Sequence, residues 1–122
     1  MQDPIHNPNF ASIENDVMRF CLDGDDPHLT VFREQFRRAG LLSREFTGVG
    51  FFTHFSIPAD VPKVASKITP EFFRYPLVEI NGVKHGVDFA IFVTDGKLDF
   101  LEGFTFDDPW PTEITHYRFV PC

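Results

Sequence analysis

Cysteine is nearly missing from this chain, with Cys21 and Cys122 the only two among 122 residues. Two thiols so far apart do not make the disulfide framework of a small secreted domain. Cys21 falls in a helical apolar pattern and reads as a small core residue. Cys122 is the final residue and reads as frayed. Basic residues are the second scarcity. Eleven Lys and Arg face eighteen Asp and Glu, a formal net charge of −7. Non-specific binding to phosphate backbones rests on clustered cations, so nucleic acid is not an expected partner. An acidic surface points instead to a basic partner, with fast and salt-sensitive association. The one basic cluster, Arg33, Arg37, Arg38 and Arg44, reads as a solvated helix face and its exit. Long apolar runs are also absent. No stretch approaches the roughly 18 residues of a membrane span. The opening Met1-Gln-Asp-Pro-Ile-His-Asn-Pro8 has neither a basic nor an apolar leader region, so no signal peptide and a cytoplasmic location are expected.

Recognisable chemistry is scarce as well. The histidines are His6, His28, His54, His85 and His116. None pairs at helical ligand spacing and none has a Cys nearby, so no metal site is expected. Gly48-Val-Gly50 lacks the rest of a dinucleotide fingerprint. No Gly-x-Ser-x-Gly appears. No cofactor and no catalytic residue are assigned, and the reading leans away from an enzyme.

Phenylalanine is abundant, with 16 copies against two Tyr and one Trp. Each buried Phe contributes roughly 1.5–3 kcal/mol, so few strands suffice for a thick core. Sixteen exceed what a small core hides, and some are expected at the surface, where a partner or a second copy would cover them.

The length allows one domain, residues 1–122. Asn7-Pro8 caps a first helix that reaches about Leu22, with Phe10, Ile13, Val17, Phe20 and Cys21 on its stripe. Asp26-Pro27 restarts a helix in which Leu29, Phe32, Phe36 and Ala39 face inward, and Gly40 ends it. The pair forms a helical hairpin. Residues 45–57 read as one strand, with Val49, Phe51, Thr53, Phe55 and Ile57 on one face and Phe52, His54 and Ser56 on the other. Gly48 and Gly50 mark a bulge or a close backbone approach. Residues 58–76 read as a long loop with a short helix capped by Thr69-Pro70. Pro76 to Ile80 is a short strand, Asn81-Gly82 a turn, and Ile114 to Val120 a last strand.

Between them lies a β-hairpin closed by Asp95-Gly96. A two-residue type I′ turn fits, and so does a type I turn with Gly in a bulge. The choice slips the register by one residue. It decides whether Phe89, Ile91 and Val93, or Ala90 and Phe92, oppose Leu98 and Phe100. In either case plain alternation puts Leu98, Phe100, Glu102, Phe104 and Phe106 on one face. Glu102 then stands in an apolar row and needs a partner, a pocket or water. Trp110, held between Pro109 and Pro111 and preceded by Asp107 and Asp108, reads as a lid over the core or as an anchor for a partner.

The runs Arg44-Glu-Phe-Thr-Gly-Val-Gly-Phe-Phe52, Leu101-Glu-Gly-Phe-Thr-Phe106 and Trp110-Pro111 resemble those of a family of small uncharacterised bacterial proteins, over roughly residues 20–111. The resemblance implies the architecture and no activity. These readings together give an α+β domain: an N-terminal helical hairpin packed on a mostly antiparallel sheet of four to five strands. Its expected role is non-catalytic protein binding, with an immunity or antitoxin protein acting by occlusion as the most concrete version. The candidate binding residues are Glu102, Trp110, His54, Phe52, Asp107 and Asp108. The alternatives are a small enzyme or ligand pocket around Glu102, His54 and Trp110, and a homodimer joined through strands or exposed Phe.

Overall fold

A computed structural model describes residues 8–65, 73–111 and 113–120. Helices α1 (Pro8–Cys21) and α2 (Pro27–Arg38) precede six strands: β1 (Gly40–Phe46), β2 (Gly50–Ser56), β3 (Leu77–Ile80), β4 (Val87–Thr94), β5 (Lys97–Thr105) and β6 (Tyr117–Val120). The strands form one sheet in the order β1-β2-β5-β4-β3-β6, antiparallel throughout. The fold is α+β with N-terminal helices, as expected. Among the described residues no helix is long and apolar enough to cross a membrane.

Helix α2 starts as its sequence dictates. The Asp26 side chain accepts the His28 N–H, and Pro27 occupies the first turn. The Asn7 cap of α1, the Thr69-Pro70 helix and Cys122 lie outside the described residues. Cys21 is fully buried, and burial pushes its thiol up to about 12.

The strand count is six rather than four or five, for a local reason. The run read as one strand from residue 45 turns back at Thr47-Gly48-Val49, where Gly48 adopts φ +88°. Its first residues end β1 and the remainder is β2. Helix α2 does not end on a left-handed glycine either. Its cap is Ala39 in extended conformation, and Gly40 already begins β1.

Both helices contribute to the core on one side of the sheet. Phe10, Ile13, Val17 and Met18 of α1 and Leu29 and Phe32 of α2 join Phe51, Val78, Phe89, Ile91 and Leu101 in a single buried cluster. Phe51 is edge-on to Phe10 at 4.7 Å and to Trp110 at 5.2 Å. Its ring lies over Gly103, where an added Cβ would come within 2.4 Å of Phe51 Cε1. Only glycine fits beneath that ring.

Alternation along β5 does not run as plain period two predicts. Asp95 (φ 52°) and Gly96 (φ 78°) form the two-residue turn, pairing Thr94 with Lys97. The register then shifts: Val93 pairs with Leu98, but Phe92 pairs with Phe100. Asp99 is the extra residue of a β-bulge. Thr94 Oγ1 donates to Asp99 Oδ2 at 2.7 Å, which ties the bulged residue back to the turn. Leu98 and Leu101 therefore both face the core, at 2% and 0% exposure. Phe100, Glu102 and Phe104 face the opposite side, so the expected common face of residues 98–106 is broken after Leu98.

Gln35 secures this bend from α2. Its fully buried amide donates to Pro62 O (2.9 Å) and Gly96 O (3.0 Å) and accepts the Leu98 N–H (2.9 Å). Gly96 also receives the Val64 N–H at 3.2 Å, and a Cβ there would fall 2.0 Å from Val64 O. The hairpin tip is thus held by helix and loop together.

Candidate functional site

Strand pairing defines the sheet face that the helices leave uncovered. One transverse row is Glu45, Phe52, Glu102 and Ala90. The next is Ser43, His54, Phe100 and Phe92. Phe104 and Asp88 pair on the other flank of Glu102. Directly paired residues share a face, so these side chains project together.

The aromatic groups touch one another. Phe92 stacks on Phe100 at 4.4 Å and 14°. Phe100 meets Phe52 at 5.7 Å and His54 at 5.3 Å. Phe92 is 42% exposed and the rest are half-buried. Beyond the end of β5, Phe106 is 40% exposed and edge-on to Phe104 at 5.8 Å. Continuous apolar area of this kind, rimmed by polar groups, is typical of recognition surfaces.

Carboxylates dominate the charge beside the aromatic strip, with Lys97, paired to Thr94, at its hairpin end. Glu45, Glu102 and Asp88 border the aromatic strip. Glu102 is half-buried. His54 Nε2 is sealed from solvent and sits 3.8 Å from a Glu45 carboxylate oxygen. That distance supports an ionic contact on protonation but no hydrogen bond.

Phe52, His54 and Glu102, expected as site residues, thus lie together on the uncovered face. Trp110 lies elsewhere. It is 4% exposed and stacks edge-on against Phe10, Phe46 and Phe51 on the helix-covered side. Its backbone N–H donates to Gly48 O at 2.8 Å, while its indole N–H is buried without a partner among the described residues. The sheet therefore separates Trp110 from Glu102 and His54. Asp107 is exposed in a left-handed conformation (φ 65°). Asp108 accepts the Lys84 N–H through Oδ2 at 3.0 Å, and its carbonyl accepts the Thr105 hydroxyl, so it braces the loop after β5.

Sequence reasoning missed Phe92, Phe100 and Phe104 as site residues because unbroken alternation assigned Phe100 and Phe104 to the same side as Leu98. The available signal was Asp99, a polar residue beside a tight turn where a bulge is easily accommodated. Among the described residues, two clefts lie outside this aromatic strip. One of about 780 Å³ lies between the helices and β1–β2, and one of about 530 Å³ beside β3 and β6. Neither is lined by Glu102, His54 or Trp110.

The fold and face define a two-layer α+β domain with an aromatic sheet surface that neither described helix covers. No protein-family model, curated protein or solved structure matches the chain.

Proposed function

We propose that this chain is a non-catalytic protein-binding domain that recognises a basic, partly apolar surface through its uncovered sheet face. The supporting observation is the contiguous strip of Phe52, His54, Phe92, Phe100 and Phe104, bordered by Glu45, Glu102 and Asp88. Aromatic anchors supply most of the energy of protein interfaces, and border charges set partner choice and on-rate. Half-buried aromatics already held by their neighbours lose little side-chain freedom on binding. An immunity or antitoxin protein, occluding a basic site on a toxin, is the concrete form of this function.

A pull-down with tagged protein tests it. Wild type should retain a specific basic partner. Phe100→Ser and Glu102→Lys should lose it, because truncating an anchor costs about 2 kcal/mol or more, roughly thirtyfold in affinity. Glu102→Lys should keep its urea midpoint, and Phe100→Ser, which loses its ring contacts, should lower it but stay folded in buffer. Retention of no partner by wild type, or equal retention by folded variants, contradicts the proposal. Concentration-dependent sedimentation of the free protein would instead assign the face to a homodimer.

A further inference from the structure

The cleft between the helices and the β1–β2 edge carries a different chemistry. The whole chain has a net charge of −7, yet Arg19, Arg33, Arg37 and Arg44 all line this one cavity, against Glu14 and Asp23. The arginines arrive from three elements: Arg19 from α1, Arg33 and Arg37 from α2, and Arg44 from β1.

Their partners divide them. Arg44 forms a two-pronged ion pair with Glu14, at 2.9 Å from Nε and 2.6 Å from Nη2. Thr53 Oγ1 also donates to Glu14. The Glu14 side chain is only 12% exposed, so its charge is consumed inside the cleft wall. Arg37 is paired with Glu34, and Asp23 is drawn to Arg74 at 3.5 Å. Arg33 differs. Its Nη1 donates to Leu22 O (2.6 Å) and Gly24 O (3.1 Å), and its Nη2 to Thr30 Oγ1 (3.1 Å). It caps the C-terminal end of α1, where a cation is favoured, and its acceptors among the described residues are all neutral oxygens. Arg19 has no carboxylate partner among the described residues either. Two positive charges thus border a cavity whose acids are already engaged.

The remaining lining is apolar, with Leu22, Phe36, Leu41 and Phe55. Leu41 is 54% exposed. A β-bulge in β1 puts it there: Leu41 pairs with Phe55 but Ser43 pairs with His54, so Leu42 is the extra residue. Without the bulge, Leu41 and Arg44, three residues apart, would face opposite sides of the sheet. With it, both line the cleft. A volume of about 780 Å³ falls within the usual range for small-molecule sites.

We infer that this cleft binds a small amphipathic anion, a carboxylate or phosphate monoester on an apolar chain or ring. Arg33 and Arg19 would hold the head group, and Leu22, Phe36, Leu41 and Phe55 the apolar body. Decanoate and decyl phosphate serve as probes, with decylamine and inorganic phosphate as controls, each titrated into ¹⁵N-labelled full-length protein. Either anion should saturate and shift the amides of Leu22, Phe55 and Leu41, while the uncovered face around Phe92 and Phe100 stays unmoved. The stronger of the two identifies the head group. Decylamine and inorganic phosphate should each bind at least about tenfold more weakly, since the site needs both a charge-assisted contact and apolar burial. Arg19→Glu, which breaks no side-chain hydrogen bond among the described residues, should weaken the anion by roughly tenfold or more. Shifts confined to the uncovered face, equal binding of decylamine, no saturation by either anion, or an unchanged affinity in Arg19→Glu would each overturn the inference.

Discussion

Replacing Gln35 by Leu should lower the unfolding free energy by about 2–4 kcal/mol, because the Leu98 N–H loses its acceptor while Pro62 O and Gly96 O each lose a donor. The volume is nearly conserved, so no cavity confounds the result. What is lost is the acceptor for the Leu98 N–H and the donors to Gly96 O and Pro62 O. A buried orphan costs about 1–3 kcal/mol; Gly96 O keeps the Val64 N–H and water reaches the exposed Pro62, so the Leu98 N–H carries most of the loss. The urea midpoint should fall by roughly 2 M for a chain of this size. A shift below about 0.5 M would mean that the hairpin tip is not anchored by α2.

Trp110→Ala should cost about 3–5 kcal/mol, the range for emptying a large aromatic site in a core. The ring touches Phe10, Phe46 and Phe51, so its removal loosens α1, β1 and β2 together. Trp110→Phe should cost under about 1.5 kcal/mol. Its indole N–H is buried without a partner among the described residues, so the smaller ring gives up no hydrogen bond there and removes a desolvated donor. A thermal melt distinguishes the two variants. If Trp110→Ala is nearly neutral, Trp110 is not a lid over this core.

These effects mark where the fold was legible from sequence. The Asp26 cap, the stripe of Leu29 and Phe32, the Asp95-Gly96 turn and the in-out order of Phe51, Phe52, Thr53 and His54 all follow from local pattern. Each depends on residues within a turn or two of chain. Gln35 was not legible, since a glutamine inside a helix resembles a surface residue until Gly96 and Pro62 arrive from distant segments. The bulges at Leu42 and Asp99 were not legible for a related reason. One inserted residue leaves composition untouched and inverts every face that follows. The candidate site depends on the second of these, so Phe52 and His54 could be placed by sequence but the company of Glu102 could not. The prolines around Trp110 constrain its backbone without saying which side of the sheet the ring occupies.

Adjacent residues of β5 test the central claim most directly, because the Asp99 bulge assigns them opposite faces. Urea denaturation of Leu101→Ala and Glu102→Ala, side by side, reads the assignment. Leu101 is fully buried, and its truncation should cost about 2–5 kcal/mol. Glu102 lies on the uncovered face, and its truncation should change stability by less than about 1 kcal/mol. A large loss from Glu102→Ala with a small one from Leu101→Ala would put the carboxylate in the core and remove the recognition face.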